Sequence, residues 1–251
     1  LPILQTAADY LSLQAVKIIA PAMHKQIHIE VNGLTPALGR RKDPVWEELA
    51  ESVYAKCLEC RSVIAFSEGR RYAEKLAYYV NQLGGEEFSR VHHGSMSKEQ
   101  RQEVETSLRN GTLRLLCATS SMELGIDVGS IDLVLQIGCP RSISSTMQRL
   151  GRAGHNPGRI SYMYMYPRTS LETLFCGMSA AVACQGGIEQ AAPPKKCLDV
   201  LAQHLVSMAA TANSTYKSMK KEYRNMEIAY TVDEVMELLQ KTRSEERRVG
   251  K

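Results

Sequence analysis

Between residues 62 and 166 short, almost wholly apolar runs alternate with segments patterned for helices, and that alternation decides the fold class. SVIAF, at 62–66, has the pattern of a strand buried on both faces. The following GRRYAEKLAYYVNQL sets Ala73, Leu76, Ala77 and Val80 on one helical stripe. SRVHHG (89–94), LRLLCAT (113–119), DLVLQIG (132–138) and ISYMYMY (160–166) read as further strands. KQIHIEV (25–31) is an earlier one, ended by Gly33 and Pro36. Asp43 and Pro44 mark an N-cap and a first helical position. Ser97 with Gln100 forms a capping box for a helix that reaches Asn110 and stops at Gly111. Strand, helix, strand at this spacing means right-handed parallel crossovers. The chain is therefore predicted to be α/β, a parallel sheet with helices on both faces. Alternation in ISYMYMY places Tyr162, Tyr164 and Tyr166 on one face, predicted to be core.

After Pro167 the character changes. Residues 169–188 read as one helix, AAPPKK (191–196) as a linker, and CLDVLAQHLVSMAA as a second apolar-striped helix. Thr231 and Glu234 form another capping box, opening VDEVMELLQ. The expected division is an opening segment and first strand over 1–40, the α/β domain over 41–167, and a helical linker leading into a small helical or winged-helix unit over 168–242. Residues 243–251, RSEERRVGK, have no period and no apolar face, and are expected to be a non-native or disordered tail. The chain begins at Leu1 and is expected to be a fragment at that end.

Composition narrows the function classes. Hydrophobic residues make up 44% and charged residues 23%, ordinary globular values that suggest neither disorder nor a fibrous repeat. No apolar run approaches the ~20 residues that cross a bilayer, and no signal peptide is evident. The expectation is no membrane partner and a cytoplasmic, nucleoid-associated location. Lys and Arg total 31 against 27 Asp and Glu, a net +4 that fits an anionic partner without demanding one. Of seven cysteines, Cys57 and Cys60 form the lone CxxC. No second half-site supplies the remaining ligands of a zinc site, and His92 and His93 have no third ligand spaced to join them.

Ligands of an open parallel sheet bind beyond the carboxyl ends of its strands. Three segments leave such ends here. FSEGRR places Ser67 where a hydroxyl could meet a phosphate, with Gly69 opening a helix and Arg70 and Arg71 adding charge. The plainer reading is an N-capping serine with Arg70 paired to Glu74 four residues on. ATSSMELGIDVGSIDLV delivers Thr119, Ser120 and Ser121 in a row, then Gly125 for a tight turn and Asp127 in the same loop. Hydroxyls in such a run can also satisfy their own loop. QRLGRAGH is the most specific signal, with Gln148, Arg149 and Arg152 on the last helical turn and its glycine-broken exit. A guanidinium held there can neutralise a transferring phosphoryl group, a role beyond meeting a helix dipole.

In this order the three segments resemble motifs IV, V and VI of superfamily 2 helicases, with HHGSMSKEQR like the stretch that separates the first two. SSMELGIDVG, IGCPRS and QRLGRAGH resemble the Lhr, or large helicase-related, group, and LDVLAQHLVSMA resembles the start of the winged-helix domain that follows its motor. The resemblance implies the second of two RecA-like domains, from an enzyme that uses ATP with Mg²⁺ and moves 3′ to 5′ on DNA. It implies that Ser67, Arg70, His93, Gly94, Thr119 and Ser120 track one nucleic-acid strand, single-stranded or within a DNA-containing duplex. Gly125, Asp127, Gln148, Arg149 and Arg152 would face ATP, with Arg152 matching the arginine finger and Gln148 and Arg149 sharing catalysis. His155, also expected on the ATP side, stands where the motif commonly has a second Arg; Lhr-like proteins share that His.

The sequence shows no GxxxxGK[ST] phosphate loop and no Asp-Glu pair suited to Mg²⁺. In the family both belong to the first RecA-like domain, the expected partner that holds most of the ATP and its metal, so this chain alone is expected to be inactive. The alternative is a non-enzymatic nucleic-acid-binding module in which the C-terminal helices read duplex DNA. Against it, only Lys217, Lys220, Lys221 and Arg224 cluster there. A dinucleotide enzyme ranks last, because no GxGxxG follows an early strand.

Overall fold

The computed structural model describes residues 4–5, 8, 16–19, 26–34, 43–123, 129–153, 160–189, 197–211, 233–237 and 239–241. Of the residues singled out above, Leu1, Pro36, Gly125, Asp127, His155, Thr231, the 191–196 linker, the Lys217–Arg224 cluster and the 243–251 tail lie outside them.

Six parallel strands form one sheet in the order β1-β6-β5-β2-β4-β3. In chain order they are β1 (Ile27–Val31), β2 (Val63–Ser67), β3 (Ser89–His92), β4 (Leu115–Ala118), β5 (Leu133–Ile137) and β6 (Ser161–Tyr166). The helices between and after them are α1 (Pro44–Leu58), α2 (Arg70–Gly84), α3 (Lys98–Arg109), α4 (Ile143–Leu150) and α5 (Ser170–Cys184). All six strands and the helices on both faces agree with the sequence reading. β2 is central and buried at every position, as an unbroken apolar run requires.

One face of the sheet is covered by α1 and α2 through Trp46, Leu49, Val53, Leu76 and Val80. On the other, Val104 and Leu108 of α3, Leu150 of α4 and Cys176 of α5 pack against Phe66, Met163 and Met165. The tyrosines of β6 share a face as predicted, but only its end is core. Tyr166 is fully buried and accepts a hydrogen bond from Ser52 Oγ at 3.2 Å, whereas Tyr162 is 39% exposed.

Local signals fared unevenly. The capping box of α3 is present in both directions, at 3.2 Å each way, and Gly111 ends the helix at φ +71°. Asp43 does not cap α1 with its side chain. Its carboxylate pairs instead with Lys75 of α2, an ammonium that outcompetes backbone amides for a charge. Pro44 does occupy the first turn.

By contacts the chain divides into two units, Leu1–Gln190 and Ala191–Lys251. β1 is a strand of the main sheet, and α5 belongs to the same unit. Described residues of the second unit are helical, with α6 (Leu198–Thr211) contributing Leu201 and Leu205 to a small cluster with Val235. Among the described residues no helix is long and apolar enough to cross a membrane.

Leu135 sits fully buried on β5 beneath α1 and α2. Leu135→Ala is expected to lower stability by about 2–5 kcal/mol through lost burial and a residual cavity, read as a fall in the urea midpoint. A change under about 1 kcal/mol would place it outside the core.

Candidate nucleic-acid and nucleotide interface

β4, β2 and β5 lie side by side and end together, so the loops leaving them meet above the middle of the sheet. They enclose a cleft of about 340 Å³ lined by the hydroxyls of Ser67, Thr119, Ser120, Ser142, Ser144 and Ser145. Glu68, Glu123, Arg141, Gln148 and Arg149 complete its lining. Ser142 also caps α4, its Oγ accepting from Ser145 N–H at 3.0 Å, which fixes where that helix starts on the cleft.

Arg149 occupies the floor. Its side chain is 2% exposed, and its Nε donates to Glu123 Oε1 at 2.7 Å while Nη1 donates to Gln136 Oε1 at 2.6 Å. Nη1 also lies 2.6 Å from Glu68 Oε1, out of line for a hydrogen bond, so that contact is Coulombic. The guanidinium stacks 5.3 Å from the Phe66 ring. Arg149, expected to face ATP, lies here on the cleft floor against these groups. Successive helical residues are turned by about 100°, so Gln148 points outward and is exposed while Arg149 points down into the sheet. Its charge is neutralised by carboxylates from the loops after β2 and β4, contacts that tie those loops to α4.

Arg152, just past α4, is half-buried and donates from Nη2 to the Glu123 carbonyl at 2.6 Å. It is not sealed in the sheet as Arg149 is. Gly151 keeps right-handed helical angles, φ −60° and ψ −16°, so α4 runs on smoothly into the turn that carries Arg152.

The six residues expected on nucleic acid separate into two groups. Ser67, Thr119 and Ser120 come together on the cleft. Ser67 is buried, its Oγ directed to the Ala118 carbonyl at a long 3.5 Å, so it neither caps α2, whose N-cap is Gly69, nor stands free at the surface. Ser120 is exposed and Thr119 half-buried. Arg70, His93 and Gly94 lie outside the cleft lining. Arg70 and His93 both approach Glu74 Oε1, at 3.8 and 3.3 Å. Gly94 is exposed beyond β3.

Sequence reasoning missed Glu68, Glu123, Gln136 and Arg141. Gln136 left a signal, an amide inside the otherwise apolar LVLQI and 0% exposed, since a buried amide needs a polar partner. Arg141 is 82% exposed at the cleft rim, with Nε 3.0 Å from Glu68 Oε2.

Among the described residues no group of three or more His, Cys, Asp or Glu could hold a metal ion. Both cleft carboxylates are engaged by arginines, which leaves them unsuited to Mg²⁺. Cys57 and Cys60 are free thiols, and burial pushes Cys57 up to about 12.

With this geometry in view, known proteins place the chain. Residues 46–156 match the helicase conserved C-terminal domain. The class that this match and the sheet define is the second RecA-like domain of superfamily 2 helicases, and the relatives that follow carry it over most of the chain. An Lhr helicase/probable uracil glycosylase of Mycolicibacterium smegmatis is 34% identical over 241 residues, 82% of this chain and 16% of that protein. An ATP-dependent helicase Lhr-Core of Methanocaldococcus jannaschii is 38% identical over 185 residues, 70% of this chain and 22% of that protein. The structure of the Mycobacterium smegmatis helicase Lhr bound to ssDNA and AMP-PNP superposes with a TM-score of 0.74 at 36% identity, covering 83% of this chain and 28% of that one. The chain belongs to the Lhr group. It spans about a sixth to a fifth of the length of these curated relatives.

Removing Arg149 should leave the half-buried Glu68 and Glu123 without the cation they share. Arg149→Ala is expected to destabilise by about 3–5 kcal/mol, and adding Glu68→Gln and Glu123→Gln to recover part of that loss in the same denaturation assay. Full additivity of the three changes would show that the groups do not interact.

Proposed function

We propose that this chain supplies the second motor domain of an ATP-dependent DNA helicase or translocase that moves 3′ to 5′. The observation that carries the reading is the sharing of α4. Gln148 stands exposed at its cleft edge and Arg152 follows just past its end, while Arg149 ties it to the loops that carry Glu68 and, beside Thr119 and Ser120, Glu123. Hydroxyls at the ends of adjacent strands suit a nucleic-acid backbone, where phosphate contacts give grip without reading bases. A rigid helix between a phosphate-facing rim and a strand-facing cleft is an element that both ligands can bias.

ATP and Mg²⁺ would be held mainly by the first RecA-like domain, because the sequence has no phosphate loop and the cleft carboxylates are committed to arginines. When bound, ATP supplies the phosphoryl group whose transfer to water drives movement. This chain's part is electrostatic. Arg152 would neutralise charge that grows on the transferred group, and Gln148 would add a neutral donor and acceptor beside it. The structure of the Lhr relative carries both ssDNA and AMP-PNP, which supports a motor that binds the two together. Polarity and the choice of DNA follow from the likeness to the Lhr group.

The test joins this chain to its first motor domain and measures ATPase with ssDNA present. Arg152→Ala is expected to lower turnover by about 10³–10⁵-fold, the effect of an arginine finger in other phosphoryl-transfer enzymes, while ATP affinity stays within about twofold of wild type. Wild-type turnover in the variant would end the assignment.

A further inference from the structure

The strand loop that carries Thr119 and Ser120 is held from behind by a group the motif pattern did not single out for that purpose. His92, the last residue of β3, has a side chain 1% exposed, and both ring nitrogens are engaged. Nε2 lies 3.0 Å from Glu105 Oε1 on α3, and Nδ1 lies 2.9 Å from Ser121 Oγ in the loop after β4. The His92 carbonyl accepts from Thr119 N–H at 3.2 Å, and Ser121 Oγ stands 3.4 Å from Thr119 Oγ1.

Proton counting gives this chain a direction. An ionised carboxylate only accepts, so Nε2 carries the proton toward Glu105. With the ring proton on Nε2, Nδ1 is an acceptor; Ser121 Oγ then faces two acceptors, Nδ1 at 2.9 Å and the His92 carbonyl at 3.4 Å, and the shorter contact takes its hydrogen. The single Ser121 proton points inward, and its oxygen is left to accept from the Thr119 hydroxyl. Thr119 and Ser121 are thereby tied down through side chain and backbone, while Ser120, between them on the short 3₁₀ turn Ser120–Met122, is left exposed on the cleft.

We infer that Glu105, His92 and Ser121 form a buried positioning relay that fixes the Thr119–Ser121 loop for contact with a nucleic-acid phosphate. His92 touches no ligand itself and is a positioning residue. The inference rests on the helicase reading and deepens it by naming what sets the grip.

Its test uses the protein with its first motor domain and fluorescent oligo-dT as the probe. Asn places an amide oxygen near the Nδ1 position, and Gln reaches toward Nε2. His92→Ala and His92→Gln are expected to weaken ssDNA binding about tenfold, whereas His92→Asn keeps it within about threefold, with KM for ATP unmoved in all three. Independently, ¹⁵N spectra of the histidines in the wild-type protein should show His92 protonated at Nε2 and bare at Nδ1. Alanine binding like wild type, Gln outperforming Asn, or a proton at Nδ1 would each overturn the relay while leaving the helicase reading intact. Wild-type protein that ignores oligo-dT would overturn that reading and this inference together.

Discussion

The domain depends on one buried cation. Arg149 lies at the foot of the cleft with Glu68 on one side, Glu123 on another and Gln136 beneath. Taking a guanidinium and two carboxylates out of water costs several kcal/mol per ion, and mutual attraction offsets that only when geometry and hydrogen bonding are good. Here the Glu68 contact is Coulombic, while the Glu123 and Gln136 bonds are directional. Such a cluster is weak evidence for added stability. Its value lies in specificity: three segments far apart in sequence have one low-energy arrangement relative to each other.

Under the proposed function, that arrangement is what would link chemistry to grip. The loop after β2 brings Ser67 and Glu68, and the loop after β4 brings Thr119, Ser120 and Glu123. The helix after β5 brings Ser142, Gln148 and Arg149. Arg152 extends the tie, since its guanidinium rests on the Glu123 backbone carbonyl. Displacing α4 by the distance of a hydrogen bond would therefore disturb both serine-bearing loops. A fully parallel sheet helps, because it aligns every carboxyl end on one edge where loops from neighbouring strands meet.

The framework was legible in the sequence because it is written in local patterns. Apolar runs marked all six strands, and the Ser97–Gln100 box and Gly111 marked the limits of α3. What failed to read were choices between competing partners. Asp43 looks like a cap, yet Lys75 takes its carboxylate. Ser67 looks like a cap or a phosphate ligand, yet lies buried with its hydroxyl toward the neighbouring strand. Arg149 and Arg152 look alike in QRLGRAGH, and only acids from distant loops decide which one is buried. Motif spacing singled out Ser67, Thr119, Ser120, Gln148 and Arg149, which the fold gathers on one cleft, while side-chain direction needed the assembled sheet.

If Arg149 is the mechanical tie, nucleotide and DNA should sense each other through it. The direct measurement is ssDNA affinity of the two-domain protein with and without a non-hydrolysable ATP analogue, in wild type and in Arg149→Lys. The account predicts that nucleotide shifts wild-type affinity by roughly 5–150-fold, the usual range of coupling between sites, and that the lysine variant, which cannot span both carboxylates, loses most of that shift while still binding each ligand. An equal shift in both proteins would contradict it.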